Sequence, residues 1–183
     1  MIYDFIEVGT SNFNYLAGDD KYKIGLSIEP INYYLKQLPT SNSIHINKAV
    51  SDKIEKTTIY YTLDDSLPKW ARGLGKVGTP HPQLTRLTQK NKSKIQSEQI
   101  ITTTWEELDN VYQIEEVGFL KIDTEGHDWK ILKSFFEYFS FSPQNIQVEI
   151  LHLKSWEKKE LEAKLQELGY NYYETRNDIV ANL

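Results

Sequence analysis

Short apolar runs that stop at a glycine or at ionisable residues alternate along this chain with segments whose apolar positions recur every three or four residues. The runs predict strands and the recurring segments predict helices. Met1 to Val8 reads as a strand that leads straight into Gly9, with Gly9-Thr10-Ser11-Asn12 as a turn. Phe13 to Leu16 then opens a short helical or irregular stretch. Lys23 to Glu29 is a second strand that ends in an acid before Pro30, and Ile31, Tyr34, Leu35 and Leu38 predict a helix. Ser43 to Val50 reads as a third strand ending at Ser51-Asp52, and Thr57 to Leu63 alternates as a further one.

Asp64 to Ser97 breaks the pattern. It holds Trp70, Arg72, three glycines, Pro80, His81 and Pro82, then a polar, lysine-rich run. It predicts a long excursion, mobile or ordered by a ligand. Regularity returns with a short strand at Ile100 to Thr104, a helical turn from Thr104 to Leu108, a strand at Phe119 to Asp123 and a helix from Trp129 to Phe139. A strand at Asn145 to Leu151 and a helix from Ser155 to Leu168, stopped by Gly169, follow. Tyr170 to Glu174 and Asp178 to Asn182 close the chain as an antiparallel pair. The alternation predicts an α/β domain over residues 1–183, a largely parallel sheet with helices on both faces. No internal repeat, low-complexity tract or domain boundary interrupts it.

Composition narrows the function classes. The 183 residues suffice for one well-buried domain, and the net charge of −5 argues against a partner with a nucleic-acid backbone. Only the lysine-rich Lys90 to Lys94 points the other way. The absence of cysteine excludes disulfides and thiolate metal sites and fits a reducing compartment. No apolar run reaches membrane-spanning length and no leader pattern opens the chain, so the expectation is a cytoplasmic protein without a membrane partner. The twelve tyrosines suit small-molecule contacts and suit core packing better.

The most informative stretch is Phe119 to Asp128, an apolar run that ends in Asp123, Thr124, Glu125, Gly126, His127 and Asp128. A buried parallel strand emerging at its carboxyl end has this form, and ligands of open α/β sheets bind at that edge. The bland alternative is a helix start capped by Asp123 or Thr124.

A second constellation lies at the first turn. Gly9 after an apolar strand permits close approach of a ligand to the following amides. About twenty residues further on, Glu29 ends the second strand, where a carboxylate accepts two hydrogen bonds from a ribose diol. One glycine replaces the three of a dinucleotide fingerprint, so a nucleoside without phosphates fits better than a dinucleotide. Gly73-Leu-Gly75-Lys-Val-Gly78 has the spacing of a phosphate loop, but no strand precedes it and prolines follow, so it reads as a flexible loop. Trp70, Arg72 and His81 are potential acceptor contacts or ordinary surface. His45 reads as a core or surface residue, Lys48 as solvated, and His152, past the strand bearing Glu149, as a secondary site candidate.

Glu7-Val8-Gly9-Thr10, Ser27-Ile28-Glu29-Pro30, Ala49-Val50-Ser51-Asp52 and Lys121-Ile122-Asp123-Thr124-Glu125-Gly126-His127 occur in that order. With Gln147-Val148-Glu149 and Asn177-Asp178-Ile179-Val180-Ala181, they resemble the FkbM family of S-adenosylmethionine-dependent methyltransferases across nearly the whole chain. The first motif departs from the family pattern: Glu7 stands where an aspartate is usual, and the second glycine is replaced near Phe13-Asn14. The chain also opens on the first strand, without the preceding helix such enzymes often carry, as in a minimal member or one domain of a longer protein.

The resemblance implies a Rossmann-like class I methyltransferase sheet with an antiparallel last strand, and methyl transfer to a hydroxyl, often on a sugar or other metabolite. On that basis Glu7, Gly9, Thr10, Ser11 and Asn12 surround the methionine portion of S-adenosyl-L-methionine. Glu29 and Pro30 hold the ribose, and Ser51 and Asp52 border the adenine. Asp123, Glu125 and His127 are the expected catalytic group, with the general base unassigned among them. No metal is expected; magnesium or calcium on Asp123, Glu125 and Glu149 is the minor alternative. Two competitors are an oxidoreductase on the same nucleotide-binding fold and a non-catalytic module that binds an adenosyl ligand. Sequence alone names neither the acceptor nor an oligomeric state.

Overall fold

The computed structural model describes residues 1–13, 16–19 and 21–183. In chain order its elements are β1 (Ile2–Val8), β2 (Gly25–Ile28), α1 (Asn32–Leu35), β3 (Ser43–Ile46), β4 (Ala49–Val50) and β5 (Lys56–Tyr61). A 3₁₀ helix (Lys69–Leu74), β6 (Lys76–Val77), α2 (Pro82–Asn91), β7 (Gln96–Thr103), α3 (Trp105–Tyr112) and β8 (Glu116–Ile122) come next. The chain ends with α4 (Asp128–Tyr138), β9 (Asn145–Glu149), α5 (Ser155–Glu167), β10 (Asn171–Glu174) and β11 (Asp178–Asn182).

Seven strands form one sheet in the order β10-β11-β9-β8-β1-β2-β3. The pairs β1–β2, β2–β3, β1–β8 and β8–β9 are parallel, whereas β9–β11 and β10–β11 are antiparallel. The sheet is therefore mixed, with β11 running against its neighbours, and the expected closing antiparallel pair is present.

Register explains why the apolar runs fold this way. Leu26, Ile6, Leu120, Ile146 and Ala181 lie side by side in one row, and Ile28, Val8, Ile122, Val148 and Ile179 in the next. Successive residues of a strand point to opposite faces, so both rows share a face. All ten side chains are buried, in one cluster with Trp105 and Leu108 of α3, Leu132 and Phe135 of α4, and Leu161 and Leu165 of α5. Residues of the other parity behave differently. Phe5 packs against the backbone of Gly25, where a Cβ would lie 2.3 Å from its ring. Two positions on, the same face carries the buried Glu7 and Lys121, 3.2 Å apart.

A second, four-stranded sheet has the order β4-β7-β5-β6, with β4–β7 parallel and the other pairs antiparallel. It corrects three expectations. The single strand expected over 43–50 is two, one in each sheet, because Asn47 turns the chain and its side-chain amide donates to the carbonyls of Glu29 and Pro30. The expected 31–38 helix keeps only one turn, and the amides of Gln37 and Leu38 then bond three residues back, short of Pro39. The expected irregular 64–97 excursion is largely built structure. It contains the 3₁₀ helix, β6 and α2, which buries Leu84 and Thr88 and has its first turn capped by His81. The stretch expected at Phe13 to Leu16 includes Asn14 and Tyr15, which lie outside the described residues. Among the described residues, no helix is long and apolar enough to cross a membrane.

Candidate active site

The last buried row of the main sheet ends at one edge, and the next residue of each strand is Gly9, Glu29, Asp123 or Glu149. Backbone bonds fasten three of these exits together. The Gly9 amide donates to Ile28, that of Glu29 to Ile46 and that of Asp123 to Val8. Gly9 has φ +79°, and a Cβ there would stand 1.9 Å from the carbonyl oxygen of Asp123. Its glycine is thus required by the neighbouring strand exit, where close approach of a ligand was the expected reason.

A cavity enclosing about 670 Å³, its open mouth included, lies at this edge. Gly9, Ser11, Glu29, Pro30, Ser51, Asp123 and His127 all line it. Glu29 is buried and accepts hydrogen bonds from the amides of Ser11 (2.7 Å) and Ile31 (2.8 Å). Burial pushes its carboxyl up to about 7, against the pull of those two amides. Each carboxylate oxygen has a second lone pair, so Glu29 retains acceptor capacity. Ile31, Val50, Ile59 and Val77 supply apolar wall.

The other predicted cofactor residues sit elsewhere. Glu7 pairs with Lys121 on the opposite face of the sheet, and burial raises its carboxyl despite that partner. Thr10 is buried and its hydroxyl donates to the Ser11 carbonyl (3.1 Å). Asn12 turns outward and its amide donates to Gln37 (3.0 Å). Asp52 accepts from the Ser51 hydroxyl and pairs with Lys130 at 3.2 Å. Burial acts to raise the Asp52 carboxyl, but the hydroxyl and the ammonium outweigh it and hold it below the ordinary value.

The turn after β8 separates the three expected catalytic residues. Asp123 faces the cavity, with Lys121 at 3.5 Å. Glu125 has φ +58° and points to a second cluster, with the Nε2 atoms of His152 and His81 at 3.0 and 3.4 Å from its Oε2. His127 returns to the cavity wall, where its buried Nδ1 has no hydrogen-bond partner among the described residues. Burial holds its pKa below the usual histidine value, so it is neutral and able to accept a proton at neutral pH.

This turn is held by Asp128, a role sequence reasoning missed. Its carboxylate accepts from the amides of Thr124 (2.7 Å) and Gly126 (2.8 Å) and from the Thr124 hydroxyl. The alternative of a helix start capped by Asp123 or Thr124 is thus reversed, since the Asp128 side chain holds the turn that precedes it. Gly126 (φ +103°) completes the turn.

Residues of the excursion also reach the site. Arg72, Gly73 and Gly75 line the cavity, and the Arg72 carbonyl accepts from the Ser11 hydroxyl (3.2 Å). The Lys76 ammonium donates to the Glu125 carbonyl. Lys48 is solvent-exposed, as expected, and also borders the cavity with Glu55 and Thr102. Arg72 was among the expected acceptor contacts, whereas Glu55, Lys76 and Thr102 carry no local sequence signal and are brought in by the pairing of β5 with β6 and β7.

A family model described as methyltransferase FkbM domain matches residues 5–172, from β1 into β10. The resembling segment at Asn177 to Ala181 lies beyond that span. No curated protein and no solved structure matches the chain. The matched span contains every wall of the cavity and the whole of the turn after β8, and the chain belongs to the FkbM methyltransferase domain family.

Proposed function

We propose that this protein is an S-adenosyl-L-methionine-dependent O-methyltransferase with a class I, Rossmann-like sheet, and that its acceptor is a hydroxyl of a sugar or other small metabolite. The observation that carries the reading is Glu29: a buried carboxylate at the end of β2, in one cavity with Gly9 and Asp123.

The donor set suits an uncharged nucleoside with a charged amino-acid tail. Glu29 would accept from the ribose diol. Ile31, Val50 and Ile59 would cover the adenine, with Ser51 at its edge. The backbone of Ser11 and the carboxylate of Asp123 would meet the methionine carboxylate and ammonium. Glu7, Asn12 and Asp52, already engaged with Lys121, Gln37 and Lys130, would act at most through the residues beside them.

When bound, the cofactor supplies an activated methyl electrophile. The protein must then orient an acceptor hydroxyl and take its proton, and alignment is the larger contribution. His127 would take the proton on its unpartnered Nδ1, with Asp123 positioning the hydroxyl. The hydroxyl acceptor follows from the family resemblance. The net charge of −5 disfavours a polyanionic acceptor.

The test is calorimetric titration with S-adenosylhomocysteine and, separately, NAD. Mass spectrometry of a saccharide panel incubated with the methyl donor completes it. Saturable binding of the first ligand alone, and a one-methylene mass gain in an acceptor, are expected. Binding of NAD in its place would assign the fold to redox chemistry, and binding without turnover on any hydroxyl acceptor would remove the O-methyl assignment.

A further inference from the structure

Behind the cavity lies a second cluster that shares Asp123 with it and adds Glu125 and Glu149, which line none of the cavity. We propose that Asp123, Glu125 and Glu149, with His152 beside them, form a binding site for a divalent cation of the magnesium–manganese class. One oxygen from each of the three carboxylates lies within 4.8 Å of the others. They come from the exits of β8 and β9, and the loop after β9 brings the His152 Nε2 to 3.0 Å from the Glu125 Oε2.

An acidic cluster alone would not carry this; the orphaned atoms do. Glu149 is 8% exposed, and its Oε2 accepts no hydrogen bond among the described residues. Glu125 is 7% exposed, and its Oε2 has two imidazole nitrogens near it, neither aligned as a hydrogen bond. Buried carboxylate oxygens without donors are costly and call for a cation or a proton. The neighbouring ammonium groups answer only part of this: Lys121 divides its charge between Glu7 and Asp123, and Lys76 donates to the main-chain oxygen of Glu125.

Burial, then the adjoining carboxylates, push Glu125 up to about 8 and Glu149 up to about 9.

Histidine chemistry separates the two imidazoles beside Glu125. His81 and His152 are equally close in sequence logic, and His81, Glu125 and His152 also have donor atoms within 4.8 Å of one another. But the His81 Nδ1 accepts from the Gln83 amide (3.2 Å) at the start of α2, which leaves the proton on Nε2, facing Glu125. His81 would have to give up that cap to ligate, so it stands as a positioning residue behind Glu125. Three carboxylate oxygens favour manganese or magnesium over a softer ion.

The proposal does not rest on the methyl-donor reading, and the two fail separately. The experiment is calorimetric titration of Mn²⁺ into the chelator-stripped full chain near neutral pH, in two buffers of different ionisation enthalpy. Expected is one saturable site per chain, with the same stoichiometry in both buffers. Glu149→Gln should weaken Mn²⁺ by about tenfold or more. Because it removes a carboxyl whose burial opposes ionisation, it should also raise the metal-free melting temperature; His152→Gln, in the loop, serves as the second variant. Absence of saturable Mn²⁺ binding to the wild type, or wild-type affinity in both variants, would overturn the site. S-adenosylhomocysteine titrated in the presence of chelator reports on the methyl-donor cavity independently.

Discussion

Replacing Glu29 by Gln keeps its shape and removes its charge, which separates what the carboxylate costs the fold from what it gives a ligand. The unfolded chain releases this proton near pH 4.5, whereas the native chain holds it to about pH 7. Between those values the native state binds more protons than the denatured one, so stability falls as pH rises through the window. The full difference is about 3 kcal/mol, reached above pH 7. For a chain of this size that corresponds to roughly 6–12 °C in melting temperature. Glu125 and Glu149 act in the same direction, so the measurement is the wild-type curve minus that of E29Q, followed by circular dichroism from about pH 5 to pH 8. The wild type should lose about 3 kcal/mol relative to the variant across this range. The ligand pulls the other way, because a diol donates to the charged form. S-adenosylhomocysteine should bind the wild type more tightly as pH rises through 7, and E29Q about 10- to 100-fold more weakly, the worth of a hydrogen bond to a charged group. Parallel melting curves together with undiminished affinity would refute the reasoning at both points.

Gly9→Ala should cost about 2 kcal/mol or more, since φ +79° and the Asp123 carbonyl leave no room for a Cβ; an unchanged melting temperature would contradict the close exit of β1 and β8. His127→Gln should lower kcat by about 10²- to 10⁴-fold while S-adenosylhomocysteine affinity stays near wild type, and an unchanged kcat would pass the base role to Asp123. Asp128→Ala strips the acceptor from the Thr124 and Gly126 amides and should destabilise by about 2–3 kcal/mol in urea titrations; a midpoint equal to wild type would show that the turn holds without it.

The edge of the main sheet was legible because strand and exit are local events. An apolar run that stops at Gly9, Glu29 or Asp123 announces a carboxyl end, and parallel strands bring those ends to one edge. Glu7 shows what motif order hides: in a strand of period two, its flanking Ile6 and Val8 already assign it to the opposite face, where Lys121 meets it. Glu125 looked equivalent to Asp123, yet a left-handed residue followed by Gly126 swings it away from the cavity and toward His81 and His152. No local signal pairs these residues, since they lie on the excursion and on two separate strand exits. The excursion was misread for a related reason. Its helix is short and polar, with Leu84 as its one fully buried apolar side chain, so periodicity was weak. Its strand β6 is only two residues long and is held by pairing with Ile59 and Tyr60 of β5.

The most direct test of the central claim is a crystal structure of the protein with S-adenosylhomocysteine. The account predicts the nucleoside at the β1–β2 edge, with the ribose hydroxyls within hydrogen-bonding distance of the Glu29 carboxylate and the amino-acid tail toward Asp123 and Ser11. A ligand bound with its ribose away from Glu29, or crystals that remain free of it at saturating concentration, would contradict it.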